Sequence, residues 1–380
     1  MTPRAVYIHI PFCTNKCFYC DFTAYVVEGQ PVDKYLDALF REMALTVAEV
    51  PPREIEAIFI GGGTPTVLTP QQMELLCEKI RLYFPKWSEE IEFTIEANPG
   101  TTSPELLRVM HEGGINRISF GAQTFRPQLL KRIGRIHEVE DIKRSVFQAR
   151  EAGFHNISLD LMFGLPEQTV QDMKETLQHA GSLKPDHFSC YSLKIEEGTL
   201  FHQLYERKQL PLPTEDDELT MYQLIRSELQ SHGYEQYEVS NFAKPGYESK
   251  HNSTYWLNEE YYGLGAGAHG YMNGIRHANV KGIKEYIRRV NGGHRPVVES
   301  YQVSDQEDRE NFMMLGLRLM QGVNKDRFFS LYQQTVDEVF GGQVQQLKKL
   351  GLIIEENDNI RLTEKGLLFG NEVFASFLDG

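Results

Sequence analysis

The sequence predicts an α/β fold, a parallel sheet covered by helices, with a smaller helical module after it. Three observations predict it. Short runs rich in β-branched and aromatic residues alternate with amphipathic stretches through the first half of the chain. Several of those stretches open on capping residues, and three close on glycine. Glycine-rich or polar segments stand at the ends of four successive strand-like runs, and in parallel α/β folds those ends share one face.

The strand-like runs are 5–11, 57–60, 91–96, 117–120, 157–163 and 187–193, with helices expected over 33–47, 70–83, 104–112, 139–152 and 170–182. Thr69-Pro70 and Ser103-Pro104 put a capping hydroxyl before a proline that fits the first helical position. Gly113-Gly114, Gly153 and Gly181 close three of the helices. The alternation implies a parallel sheet with helices outside. Six units are too few for a full eight-unit barrel, so an open partial barrel and a doubly wound sheet both satisfy the pattern. Pro211-Leu212-Pro213-Thr214 marks a boundary, and a helix over 215–232 follows. A glycine- and aromatic-rich region covers 234–271. Helices over 305–320, 325–332 and 343–350, a hairpin over 352–362 and a last helix over 363–377 suggest a winged-helix-like module. It has no basic recognition helix. The expected domains are 1–214, a connecting region 215–300, and 301–380.

The composition, 41% apolar with no long apolar run, is that of a soluble globular protein. The first apolar run is too short for a signal peptide, so a cytoplasmic location is expected. A formal charge of −14 argues against general nucleic-acid binding. Lys131-Arg132 with Arg135 could still hold an anion.

Cys13, Cys17 and Cys20 lie within eight residues of each other, and only Cys77 and Cys190 occur elsewhere. Three thiolates leave one iron of a 4Fe–4S cubane open if no fourth protein ligand is supplied. Zinc is the rival; it prefers four ligands, and only Cys17 and Cys20 have the usual spacing. His9 is the candidate fourth. Gly61-Gly62-Gly63-Thr64 lets backbone approach a ligand, but it is not a phosphate loop. Glu96 and Asp160 sit in apolar strands, where an unpaired carboxylate is costly. Gln123 and Arg135 are further candidates, and each of the four can also be read as a surface or helix-pairing residue. Cys77 and Cys190 read as core. His251, in His251-Asn252-Ser253-Thr254-Tyr255-Trp256, can cap, pack or bind metal, and His269 is a second candidate in a small-sided loop.

The cysteine loop resembles the signature of the radical SAM superfamily, with the aromatic Tyr19 before its last cysteine. Gly-Gly-Gly-Thr-Pro-Thr, Tyr7-Ile8-His9-Ile10-Pro11-Phe12-Cys13, Glu96-Ala97-Asn98-Pro99 and Asp160-Leu161-Met162-Phe163-Gly164-Leu165-Pro166 resemble the oxygen-independent coproporphyrinogen oxidase-like group. The true oxidases carry a further cysteine where this chain has Phe22, and a longer N-terminal segment. The HemW-type haem chaperone branch lacks both and carries an H-N-x-x-Y-W motif, matched by His251, Asn252, Tyr255 and Trp256.

The resemblance implies an open partial (β/α)6, TIM-like barrel with the winged-helix-like module behind it. It implies a 4Fe–4S cluster on Cys13, Cys17 and Cys20, and S-adenosylmethionine on its open iron. Tyr7 is expected near the methionyl end, with backbone contacts from Gly62, Gly63 and Thr64 to its amino and carboxylate groups. Glu96, Gln123, Arg135 and Asp160 complete the polar shell, with Asp160 at the ribose. Haem is expected on His251, outside the barrel near the join with the C-terminal region. Partners would be haem and acceptor haemoproteins, membrane-associated ones among them, with a homodimer as the assembly. The alternative is radical decarboxylation of coproporphyrinogen III.

Overall fold

The computed structural model describes residues 2–378. Six strands lie side by side in chain order: β1 (Ala5–Ile10), β2 (Ile55–Gly62), β3 (Trp87–Ala97), β4 (Arg117–Gln123), β5 (Asn156–Phe163) and β6 (His187–Ser192). Every neighbouring pair is parallel. This order has no reversal point, which excludes the doubly wound alternative and leaves the open (β/α)6 arc. The connecting helices are Val32–Glu49, Pro70–Tyr83, Pro104–Glu112, Val139–Glu151 and Val170–Ser182. Local chemistry sets their starts. Thr69 accepts from the Gln72 amide at 3.2 Å while the Gln72 side chain accepts from the Thr69 amide at 3.0 Å, a reciprocal cap. Tyr35, Leu36, Leu39 and Met43 of the first helix close over Val6, Ile8 and Ile10 of β1. Each such side chain contributes about 1.5–3 kcal/mol on burial.

The stretch after residue 234 adds six more strands to the same sheet. β7 (Glu235–Gln236) and β8 (Asn241–Ala243) extend it antiparallel beyond β6. At the other edge β9 (Tyr261–Leu264) pairs parallel with β1. β10 (His269–Met272), β11 (Ile275–Asn279) and β12 (Val297–Gln302) follow antiparallel, making twelve strands. These strands are short and broken by glycine, so periodicity did not reveal them. The glycines serve close approach: a Cβ on Gly263 would lie 1.8 Å from the His269 carbonyl oxygen. The fully buried Glu42 ties this edge to the first helix. It accepts from the Gly265 amide at 2.8 Å, from Asn279 Nδ2 at 2.6 Å and from the Tyr286 hydroxyl.

The C-terminal module has its own buried cluster, including Phe312, Met313, Phe328, Phe340, Leu347 and Phe374. Its sheet comprises β13 (Val323–Asn324), β14 (Ile353–Glu356) and β15 (Asn359–Leu362), with β15 central. Three expected helices differ in extent. The first ends at Gly316, because Leu319 turns away to bridge Glu238. The helix expected over 343–350 starts at Val336, where Thr335 and Glu338 cap it; it kinks at Phe340, beside Gly341 and Gly342. The last helix is two, Glu364–Leu368 and Gly370–Ala375, broken at the non-helical Phe369. Among the described residues, no helix is long and apolar enough to cross a membrane.

Candidate functional site

The strand ends enclose a cavity of about 580 Å³, bordered by the cysteine loop, Tyr7, Glu96, Arg135, Asp160 and His251. That is a size typical of small-molecule sites. Phe12 and Cys13 pair with Tyr25 and Val26, so the loop leaves β1 and returns beside it. Its middle is tied to neighbouring segments: Asn15 Nδ2 donates to the Gly134 carbonyl at 2.8 Å, and the Phe18 amide to that of Ile133 at 3.1 Å. Cys13 is buried, Cys17 and Cys20 are half-buried, and none forms a disulfide. Burial pushes the Cys20 thiol up to about 11 and the Cys13 thiol upward as well. Iron bound to these sulfurs would supply the positive charge that their thiolate forms lack here.

His9 does not act as a fourth ligand in this arrangement. Its Nε2 donates to the Thr23 carbonyl at 2.7 Å, which leaves Nδ1 to accept from the Tyr7 hydroxyl at 2.9 Å. The imidazole instead pins the returning cysteine loop to β1.

The glycine segment departs from expectation. The Gly62 amide donates to Glu96 at 2.9 Å, that of Gly63 to the Ile10 carbonyl at 2.9 Å and that of Thr64 to the Phe12 carbonyl at 2.7 Å. With all three N–H groups holding the turn, none is left for a ligand carboxylate. Ligand contacts from this backbone fall to carbonyl oxygens, which suit an ammonium group. The Thr64 hydroxyl donates to Cys13 Sγ at 3.5 Å and accepts from Asn98 Nδ2 at 2.8 Å.

The glycines are required by packing. Gly62 has φ +107°, and a Cβ on it would strike the His9 ring at 2.4 Å. A Cβ on Gly63 would meet the Phe12 carbonyl oxygen at 2.5 Å, next to Cys13. Gly63→Ala is therefore expected to lose most of its iron–sulfur content. Gly181→Ala, with nothing within 4 Å of the added carbon, should keep it. Iron and sulfide analysis of the two proteins is the check.

Glu96, Ser119 and Asp160 reach the cavity from β3, β4 and β5. Burial, and next the nearby Asp160, raise the Glu96 carboxyl to about 7. Burial also raises Asp160, although Ser119 Oγ donates to it at 2.9 Å. Arg135 donates to Asn98 Oδ1 at 2.5 Å and to the Tyr19 hydroxyl at 3.0 Å, and its buried Nε has no partner. It thus orients Tyr19 over the cavity. The expected basic patch does not form. Arg135 turns inward, Lys131 stays exposed, and Arg132 pairs with Glu167 at 2.6 Å. Gln123, buried at φ +64°, closes the wall.

His251 is placed elsewhere than expected. It lies inside the barrel cavity rather than at the join with the C-terminal module. The cause is the parallel pairing of β9 with β1, which brings the preceding helix, Lys250–Trp256, against the barrel strands. Glu92 of β3 holds that helix, accepting from Ser249 Oγ at 3.1 Å and from the amides of Lys250 and His251 at 3.0 and 3.1 Å. The imidazole stacks on Phe59 with centroids 5.0 Å apart and faces Tyr7 at 6.2 Å. Its Nε2 meets the Tyr255 hydroxyl at 2.7 Å, and its buried Nδ1 has no partner. Burial, and next Arg117, lower it to about 3, so the ring is neutral. The motif divides: His251, Asn252 and Tyr255 border the cavity, while Trp256 carries the Arg318 guanidinium over its ring at 4.4 Å. His269 is exposed.

Sequence reasoning missed Glu92, Arg117 and Ser119. Glu92 stands on the same face of β3 as Glu96, and Arg117 is the one charged residue of β4; both are detectable as charges at inward positions. Cys77 and Cys190 are buried core, as expected.

A profile described as the Radical SAM superfamily matches residues 7–180, and one described as the HemN C-terminal domain matches 303–369. A Bacillus subtilis protein named "Heme chaperone HemW" is 46% identical over 375 residues, 99% of each chain. The chain belongs to the HemW family of the radical SAM superfamily. An Escherichia coli member with the same name is 35% identical over 379 residues, covering 100% of this chain and 99% of that one. The solved structure of E. coli coproporphyrinogen III oxidase superimposes with a TM-score of 0.87 at 24% identity, over 99% of this chain and 90% of that one. That likeness shows the fold alone. This HemW-family chain therefore has the α/β radical SAM fold with a HemN-type C-terminal module.

Proposed function

We propose that this HemW-family chain binds haem and delivers it to acceptor haemoproteins, with a 4Fe–4S cluster and S-adenosylmethionine held in its barrel. One observation carries the reading: three cysteine thiols border the same cavity as Glu96 and Asp160, two carboxyls held above their usual range by burial. Cys13, Cys17 and Cys20 would hold the cluster. Glu96 and the glycine-segment carbonyls would take the ammonium of S-adenosylmethionine, and Asp160 its ribose hydroxyls. Tyr7 would border the methionyl end, with Tyr19, Gln123 and Arg135 fixing the wall. When bound, the cluster supplies low-potential electrons and an open iron site. His251 is the haem ligand in this reading, with Tyr255 supplying flat surface beside it.

Phe22 stands where the true oxidases carry their additional cysteine; it is 63% exposed at the cavity border. Coproporphyrinogen oxidation is therefore not expected. Anaerobic incubation of cluster-loaded protein with S-adenosylmethionine, reductant and coproporphyrinogen III should form no protoporphyrinogen above background. Turnover well above background would replace delivery with the oxidase reading. Delivery itself is checked by mixing haem-loaded protein with an apo-haemoprotein and following the acceptor's spectrum. An acceptor that fills no faster than with free haem would reject it.

A further inference from the structure

The position of His251 has a consequence for the order in which this protein can be loaded. The residue is 1% exposed. Its ring is covered by Phe59 and Tyr7, with Tyr255 edge-on at 4.9 Å. Behind it the helix backbone is held by Glu92. The open space that the residue borders is the barrel cavity, shared with the cysteine loop, Glu96 and Asp160. A metal-bearing ligand that coordinates this imidazole has to reach it through that space. Coordination also needs a free ring nitrogen. Nε2 is engaged by the Tyr255 hydroxyl at 2.7 Å, and Nδ1 is enclosed. Either must be uncovered at the cavity floor.

At about 580 Å³ the cavity suits one cofactor-sized ligand. A macrocycle that reaches His251 would occupy the space between Tyr7, Glu96 and Asp160, the same groups proposed for S-adenosylmethionine. We infer that haem held by His251 and S-adenosylmethionine exclude one another from the barrel. This rests on the proposed function, since it takes both ligands from that reading. It changes the mechanism: the protein passes between a nucleoside-loaded and a haem-loaded state, and each ligand governs release of the other. Exclusion is reciprocal by linkage.

The test is a haem titration of cluster-loaded protein, followed by Soret absorbance, at increasing S-adenosylhomocysteine, a nucleoside that lacks the cleavable sulfonium. In the wild type the apparent haem Kd should rise in proportion to the nucleoside, about 100-fold at one hundred times the nucleoside's own Kd. Equilibrium dialysis should show haem displacing the nucleoside. In His251→Ala and His251→Gln the His-ligated Soret band should be lost, and haem should no longer displace the nucleoside; iron content reports that both variants have folded. An unchanged haem Kd under saturating nucleoside, with the band still lost in both variants, would overturn exclusion and leave the proposed function standing. Normal haem binding in both variants would also overturn it, by moving the ligand elsewhere. A wild type that binds no haem would remove the proposed function itself.

Discussion

Changing Cys13, Cys17 or Cys20 to alanine is expected to take the iron content of anaerobically reconstituted protein from about four atoms per chain to near zero. Among the described residues, these are the three cysteine thiols that border the cavity; Cys77 and Cys190 are buried and do not line it. His9 cannot substitute, because both its nitrogens are engaged. Two thiolates would leave two irons without a protein ligand. Cys77→Ala and Cys190→Ala should keep their iron and lose only packing, about 1 kcal/mol each. Iron and sulfide analysis with the visible absorbance of each protein is the measurement, and retained cluster in any of the three loop variants would reject the ligand set. Assembly should also depend on pH in a known direction. Burial raises the Cys13 and Cys20 thiols, Cys20 to about 11, so these two are protonated at pH 7 and must release their protons as iron binds. Reconstitution should therefore proceed more readily at pH 9 than at pH 7.

The parts of this site that were legible in the sequence were those governed by local pattern. Apolar runs with polar ends placed Cys13, Gly62, Glu96, Gln123 and Asp160 at one face, because a parallel sheet puts its strand ends together whatever the details of pairing. What the sequence hid depended on register and distant contact. That the amides of Gly62, Gly63 and Thr64 are already spent follows from how β2 meets Glu96 of β3 and the chain leaving β1, which no local pattern encodes. His251 was misplaced for the same reason. Its helix enters the barrel because β9 pairs with β1 and because Glu92 accepts the helix's first amides. Arg135 carried two readings, the polar shell and a basic patch with Lys131 and Arg132, because neighbours in sequence carried the same sign. The C-terminal module was legible as helices plus a hairpin. The end at Gly316, the break at Phe369 and the start at Val336 escaped; the first follows the bridge from Leu319 to Glu238, while the last is set locally by the Thr335 and Glu338 cap.

Glu96→Gln should separate the cofactor role of this carboxylate from its cost to the fold. The Glu96 carboxyl sits at about 7, against an ordinary value near 4.5, mainly through burial. Below pH ~4.5 it is protonated in both folded and unfolded chains and has no differential effect. As pH rises, the unfolded chain ionises first, so ionisation favours unfolding. The penalty grows up to about pH 7 and is constant above it. A tenfold change in an ionisation constant corresponds to about 1.4 kcal/mol, so the upper bound is a few kcal/mol, reduced by whatever solvent enters the cavity. Glutamine keeps an oxygen to accept from the Gly62 amide and carries no charge. The cofactor-free variant should therefore melt several degrees above wild type at pH 8 and close to it at pH 5. Its affinity for S-adenosylmethionine should move the other way. Losing a charge-assisted contact of about 1.5–3 kcal/mol predicts roughly 10- to 100-fold weaker binding, with iron content unchanged. Thermal melts at the two pH values and equilibrium dialysis are the measurements. Wild-type affinity in the variant would take Glu96 out of the cofactor shell. An unchanged melting difference between pH 5 and pH 8 would mean that the carboxylate is already compensated in the empty cavity, and that its burial needs no ligand to account for it.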